Sequence, residues 1–429
     1  MNTAQLHRRF LLCSGVSTDT RDIKPNSLFF SLKGPNFDGN LYAEDALKKG
    51  ARYVVIDDES KFITENENYI LVSDCLQALQ KLATFHRRFL NIPIIALTGS
   101  NGKTTTKELV NAVLSKKYKT IATKGNLNNH IGVPLTLLTM DDRTELGIVE
   151  MGANHQGEIE FLCDIVYPDY GYITNFGKAH LEGFGSIEGV IKGKSELYKH
   201  LKSHKKLLFL NLNDPIQNAQ LSYNHTFTFG SSDNAHIKVN FKNKKNSSSH
   251  FTFNKTKFSP SLSGFYNGLN AAAALCIGLY FKVELNAIKD AINSYTSNNN
   301  RSQLVETKNN SLFLDAYNAN PTSMAAALSN FADIENSKAK IAILGDMLEL
   351  GKFTQQEHQD IVNKVKSKKF EQVLLVGSHF SETEIPSNFK TFPNTLSLQE
   401  YLQNHTFQHK LILIKGSRGI ALERLLDIL

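Results

Sequence analysis

Residues 98–106 read TGSNGKTTT, and two glycines, a lysine and three consecutive threonines in so short a span are suited to holding phosphate. Glycines let backbone amides converge on phosphate oxygens, and a helix starting directly afterwards adds partial positive charge. In such a loop Lys103 reaches the β- and γ-phosphates and the Thr104 hydroxyl ligates Mg²⁺. Gly99, Ser100, Asn101, Gly102 and Thr105 supply the rest of the cradle. Gly99 precedes Gly102 by only three positions, tighter than the common phosphate-loop spacing. A purely structural turn would leave the lysine and the hydroxyls without a purpose. Glu150 ends the apolar run ELGIVEMG, where a carboxylate can hold Mg²⁺ directly or through water, or simply cap a helix. His180 in AHLEGFGS and Lys194 in KGKSELY follow. Taken alone, the first reads equally as a structural histidine and the second as a solvated helix charge.

These residues need strands that end side by side. From 89 to 298, apolar runs bounded by turn residues recur (IPIIALTGS, ELGIVEMG, YGYITNFG, KLLFLNLND), the pattern of a parallel sheet buried on both faces. From 1 to 88, SLFFSLKG, ARYVVIDD and YILVSD alternate with the helix-like YAEDALKKG and CLQALQKLATFHRRFL, which predicts a small α/β domain. From 299 to 429, SLFLDAYN, KIAILGDM, QVLLVGSH and KLILIKGS predict a Rossmann-like, doubly wound unit. NKKNSSSHFTFNKTKFSPSLSG reads as loops and hairpins, and YTSNNNRSQ as a hinge. The expected fold is α/β, with three domains facing a shared cleft.

A chain of 429 residues exceeds one ordinary core, and 41% hydrophobic with 21% charged residues excludes a disordered protein. No apolar run approaches the roughly 18 residues of a membrane span, and MNTAQLHRRFLLCSG lacks the features of a signal peptide. A cytoplasmic protein is expected. Cys13, Cys75, Cys163 and Cys276 form no CxxC pair, so buried reduced thiols are expected rather than disulfides or a zinc site. A net charge of +7 suits anionic small substrates; the basic residues are dispersed and accompany no nucleic-acid motif.

The stretches TGSNGKTTTKE, GNLNNHIGVPLTLL, EMGANHQGEI, AHLEGFGS, DAYNANPTSM, GDMLELG and KGSRG, in this order across the chain, resemble the Mur ligase family of peptidoglycan synthesis. DAYNANP and GDMLELG resemble the member that joins D-alanyl-D-alanine to UDP-MurNAc-tripeptide. The resemblance implies ATP-dependent amide-bond formation through an acyl phosphate, with the block 1–88 binding the UDP substrate and 89–298 binding ATP. It implies that Glu150 and His180 ligate a second Mg²⁺. It also implies that Lys194 carries a carbamate from CO₂ that assists this metal, with Lys192 the competing choice. Asn267, with Asn270 beside it, would hold adenine, and Tyr266 stands where the family has histidine. Arg301, Asp315 and Asn318 would approach the nucleotide as the third domain closes; Asn300 replaces the family's glycine. Lys415 and Arg418 are candidates for an anionic substrate. Thr20 and Arg21 would contact the uridine diphosphate, and Asn128 and Asn129 the muramoyl peptide. Asn40 stands where the family often has histidine. A monomer is expected.

Three other readings compete. A family member adding the third amino acid would carry a DNPR-like motif in its last domain, and none is present. Folylpolyglutamate synthase shares the phosphate loop but not DAYNANP. From a different class, a regulator using ATP only as a switch would have no need of a second metal site.

Overall fold

The computed structural model describes residues 1–241, 249–297 and 300–429. The middle of the expected hinge, the expected boundary at 298/299 and residues 243–248 of the polar stretch lie outside the described residues.

The middle of the chain forms a seven-stranded, wholly parallel sheet. Its strands run in the order Ile237–Lys238, Thr226–Gly230, Leu207–Asn211, Tyr170–Ile173, Ile94–Thr98, Leu146–Glu150, Thr120–Ala122. Alternate residues of each strand enter different cores. Ile94 and Ala96 pack with helices Cys75–Leu90 and Glu158–Val166, while Ile95 and Leu97 face helices Lys103–Leu114 and Phe265–Tyr280. Burial on both faces is why these strands read as unbroken apolar runs. The Ile94–Thr98 strand is flanked by Leu146–Glu150 on one side and Tyr170–Ile173 on the other, so the chain winds away from it in both directions. A crevice opens at the carboxyl ends of such strands. The phosphate loop, Glu150 and the segment after Ile173 therefore share one edge.

Two smaller sheets flank it. Val16–Ser17, Leu28–Phe30, Tyr53–Ile56 and Tyr69–Leu71 pair in parallel in that order. Near the C-terminus six strands run Gln303–Glu306, Ser311–Asp315, Leu411–Lys415, Lys340–Gly345, Gln372–Val376, Phe389–Phe392, with only the first antiparallel. The polar stretch contributes strands Phe251–Phe253 and Thr256–Phe258, an antiparallel hairpin extended by Asn240–Phe241. The mixed α/β class expected from sequence is the observed one. All four cysteines are free thiols. Among the described residues no helix is long and apolar enough to cross a membrane.

Candidate active site

A cavity of about 710 Å³ lies where the middle sheet's edge faces the C-terminal sheet. Its floor is the phosphate loop. Gly99 has φ +138°, and a Cβ there would sit 2.0 Å from Thr174 Oγ1, so only glycine lets the loop lie this close to the neighbouring strand end. Gly102, at φ +77°, turns the chain into helix Lys103–Leu114. Ser100 Oγ donates to Gly177 O (2.8 Å), and the Asn101 carbonyl accepts from Thr174 Oγ1 (2.6 Å) and Asn175 Nδ2 (2.8 Å). The loop's shape is thus fixed without a ligand. Lys103 Nζ folds back onto the carbonyls of Gly99 (2.8 Å) and Ser100 (3.4 Å), and burial pulls its pKa down.

Glu150 is 1% exposed. Its Oε1 accepts from Asn128 Nδ2 (2.8 Å) and Thr104 Oγ1 (3.3 Å), while its Oε2 is buried with no hydrogen-bond partner. An orphaned buried carboxylate oxygen is costly, and a cation is the partner that would satisfy it. Lys194 is fully buried, donates to Ala153 O (2.9 Å) and lies 5.0 Å from the centre of the Phe184 ring. Desolvation drives its pKa well below the ordinary lysine value, and the nearby Lys103 charge lowers it further. Lys192 is exposed, so the two lysines left open by sequence differ sharply in environment. His180, at φ +53°, lines the cavity and hydrogen-bonds through Nδ1 to Glu349 of the C-terminal region. That bond holds the Glu349 carboxyl below its usual range. Among the described residues no three His, Cys, Asp or Glu side chains stand together as a ready metal cluster. One cation here would draw on the Thr104 hydroxyl, and a second on Glu150, His180 and a modified Lys194.

The opposite wall is more fully paired. Asn267 donates from Nδ2 to Ser263 O (2.7 Å) and accepts from Asn270 Nδ2 (3.2 Å). Tyr266, in the place of the family's histidine, meets Ser302 Oγ at 2.9 Å. Arg301 stacks 3.6 Å over the Tyr317 ring, and Asn300 before it has φ +56°. The position demands left-handed backbone, which asparagine tolerates better than most residues, so replacing glycine leaves the turn intact. Asp315 Oδ2 accepts from Lys415 Nζ (2.7 Å), and Asn318 O accepts from the same ammonium (3.1 Å).

The structure brings most expected residues together: Ser100 to Thr105, Glu150, His180, Asn267, Arg301, Asp315 and Asn318 line one cavity, and Gly99 and Lys194 sit just behind it. Several expectations change. Lys415 is the last residue of a strand rather than a loop residue, and at 1% exposure its ammonium is committed to Asp315. Asn128 serves Glu150, and Asn129 Oδ1 accepts from the Ile131 and Gly132 amides, capping the next helix. Both line the cavity, which Thr20 and Arg21 do not. Arg21 is exposed and paired with Asp19 at 2.6 Å. Asn40 is buried against Asp38 and Asp57. Sequence reasoning singled out neither Asn175, Asn320 nor Glu349. The last two lie in stretches quoted above, Asn320 in DAYNANP and Glu349 in GDMLELG, and Asn320 precedes Pro321 as a helix cap; nothing in the sequence points to the partner of Glu349, 169 positions away.

Family models match three consecutive parts of the chain: the Mur ligase family catalytic domain over residues 13–87, the Mur ligase middle domain over 97–278, and the Mur ligase glutamate ligase domain over 300–418. The chain is 35% identical over 426 residues to the UDP-N-acetylmuramoyl-tripeptide–D-alanyl-D-alanine ligase of Bacillus subtilis, covering 96% of this chain and 92% of that protein. Its fold is similar to crystal structure I of MurF from Acinetobacter baumannii (TM-score 0.86, 28% identity, 99% and 98% of the two chains). It is also similar to MurF from Thermotoga maritima in complex with ADP (TM-score 0.82, 25% identity, 97% of each chain).

Proposed function

The chain belongs to the Mur ligase family, and on that premise we propose how its cavity works. The protein is an ATP-dependent ligase that joins D-alanyl-D-alanine to UDP-MurNAc-tripeptide in peptidoglycan precursor synthesis. A carboxylate is a poor electrophile, so it must first acquire a leaving group. The tripeptide's terminal carboxylate attacks the γ-phosphorus of ATP, the bond to the β–γ bridging oxygen breaks, and ADP leaves an acyl phosphate. The dipeptide amine then adds to the acyl carbon, loses a proton, and expels inorganic phosphate.

Loop amides from Gly99 to Thr105 and the Lys103 ammonium hold the triphosphate; positioning and charge neutralisation supply most of the rate. Lys103 has only backbone carbonyls to give up in exchange. Asn267 holds adenine, with Arg301, Asp315 and Asn318 on the same wall. Thr104 would hold one Mg²⁺, and Glu150, His180 and carbamylated Lys194 a second; the ions would supply charge neutralisation for the transferring phosphoryl group. The orphaned Glu150 Oε2 fits a cation, and Lys194 fits the modification because only a neutral amine captures CO₂, becoming an anion with release of one proton. The division of labour runs by domain: 1–88 holds the UDP moiety through Thr20 and Arg21, 89–298 the ATP, and 299–429 closes over both. A nucleotide-linked substrate places the protein in the cytoplasm, acting as a monomer.

The observation that carries this reading is the buried, partnerless Glu150 oxygen beside the phosphate loop. Phosphate release by purified protein tests it: release requires both UDP-MurNAc-tripeptide and D-alanyl-D-alanine, and release indifferent to either sinks it. Lys194→Ala is expected to lose activity by roughly 10²-fold and to regain part of it with added short-chain carboxylates. Full activity in that variant would mean that the wrong lysine was assigned.

A further inference from the structure

The contact between His180 and Glu349 joins two residues with unusual backbone. His180 has φ +53° and Glu349 φ +61°, left-handed conformations uncommon outside glycine, which histidine adopts more readily than glutamate. Such strain persists only where the surroundings impose it. Here the surroundings are a clamp between two domains. The Glu182 amide donates to the Glu349 carbonyl (3.1 Å), and Gly351 (φ +55°) lies so near Glu182 that an added Cβ would come within 3.3 Å of its Cα. The loop after Gly345 is therefore held against the loop after Ala179 by backbone, which leaves the Glu349 side chain free for another task. Its carboxylate meets His180 Nδ1.

We propose that Glu349 is a positioning residue whose carboxylate holds the His180 ring as the Nδ1–H tautomer and leaves the Nε2 lone pair for the cavity. A carboxylate has only acceptors, so the ring must donate through Nδ1, and a neutral imidazole then carries its lone pair on Nε2. A carboxylate behind a ligating histidine fixes the ring and raises its basicity. The inference rests on the reading of His180 as a metal ligand. It adds that the ligand is correctly set only when the C-terminal domain is docked, because Glu349 comes from that domain. The Lys178–Glu357 pair (2.5 Å) crosses the same seam without touching His180 and serves as the comparison.

The experiment uses the full-length protein labelled with ¹⁵N-histidine, free of metal and nucleotide, at a pH of about 9, well above the ordinary imidazole range. In the wild type and in Glu357→Ala, His180 shows a protonated Nδ1 and an unprotonated Nε2. Glu349→Ala shifts the ring towards the mixture of free imidazole, and Glu349→Gln retains Nδ1–H because its amide oxygen still accepts. In the ligase assay Glu349→Ala loses roughly 10- to 100-fold in kcat with little change in KM for the dipeptide, and Glu349→Gln recovers part of it. Unfolding midpoints match the wild type. Persistence of Nδ1–H in Glu349→Ala overturns the inference, as does a kcat loss no larger than that of Glu357→Ala. A wild-type protein with no ligase activity would instead overturn the proposed function, while the tautomer data judge Glu349 separately.

Discussion

The two seams that join the middle sheet to its neighbours are built from different materials. At the first, helix Cys75–Leu90 packs against helices Gly132–Leu137 and Glu158–Val166, with Leu79, Leu82, Ala83, Val133 and Leu137 in one buried apolar cluster. The polar groups there are buried and fully engaged. Arg87, 7% exposed, donates to the carbonyls of Val166 (2.9 Å) and Tyr167 (3.0 Å) and pairs with Asp169 (2.8 Å). The second seam runs along the cavity and is crossed by polar side-chain pairs. Asn101 and Asn320 exchange amide hydrogen bonds (2.7 and 3.4 Å), Lys178 pairs with Glu357, and His180 with Glu349. Opening apolar surface to water costs free energy in proportion to area, whereas water can replace a polar pair at little net cost. The first seam is built to stay shut; the second can open and close around substrates.

If the chemistry belongs to the second seam, the largest functional losses come from residues on its floor. Lys103→Met is expected to reduce kcat/KM for ATP by roughly 10³-fold while leaving the unfolding midpoint unchanged. Steady-state kinetics with a thermal melt checks both, and a loss under tenfold would break the contrast. The first seam should respond in the opposite sense. Arg87→Met removes three hydrogen bonds but leaves Asp169 paired with Lys206 (2.6 Å). It is expected to cost about 2 kcal/mol of stability in urea titration, less than the loss of a wholly isolated buried pair, with kcat of the folded enzyme preserved.

The contrast was only half legible in the sequence. The floor was readable because local chemistry and strand pattern agree there: TGSNGKTTT follows a buried apolar run, and Glu150 ends another. Lys194 required more. Its spacing matched a family pattern, and the structure adds that its amine is buried while Lys192 is exposed. The wall misled where residue type was taken for role. Lys415 reads as an anion ligand, yet its neighbour across the parallel register is Asp315, one hundred positions earlier, and the two neutralise each other. Asn128 reads as a substrate contact, and its amide also supports Glu150. Both cases meet the same physical limit. Short-range pattern reveals which groups lie near a strand end; which of them are already satisfied depends on long-range pairing.

Within the second seam, Asn320→Leu provides a finer test. Leucine keeps the volume but leaves the Asn101 amide facing an apolar group, so the loop loses its tie to the helix beginning at Pro321. KM for ATP is expected to rise roughly tenfold, the cost of one partly exposed unsatisfied amide, with kcat changed less. Small-angle scattering with ATP and UDP-MurNAc-tripeptide should show less compaction than in the wild type. Equal compaction would mean that the Asn101–Asn320 pair does not hold the seam closed.

The smallest effect expected lies beside the first seam, in the buried pair His7–His86. His86 Nε2 faces the Met140 carbonyl (2.9 Å) and must donate to it, so its Nδ1 accepts from His7 Nε2 at 3.0 Å. A proton added to His86 Nδ1 would set two donors head to head, and one added to His7 would place charge among Phe10, Phe85 and Phe89. Burial, reinforced by His86, accordingly lowers the His7 pKa to about 4, and burial lowers that of His86 as well. Above the unfolded value of about 6.5 neither state binds the proton and the pair has no pH dependence. As pH falls from there towards 4 the unfolded chain takes up protons that the folded one refuses, so stability declines through that window. His7→Gln keeps a donor for His86 and removes one titrating ring. The fall in Tm between pH 7 and pH 4.5 should therefore be smaller in the variant, by on the order of 2 °C, with acidic groups common to both proteins cancelling in the difference. Parallel Tm curves would show that water reaches this seam and that the two interfaces are less unlike than their contacts imply.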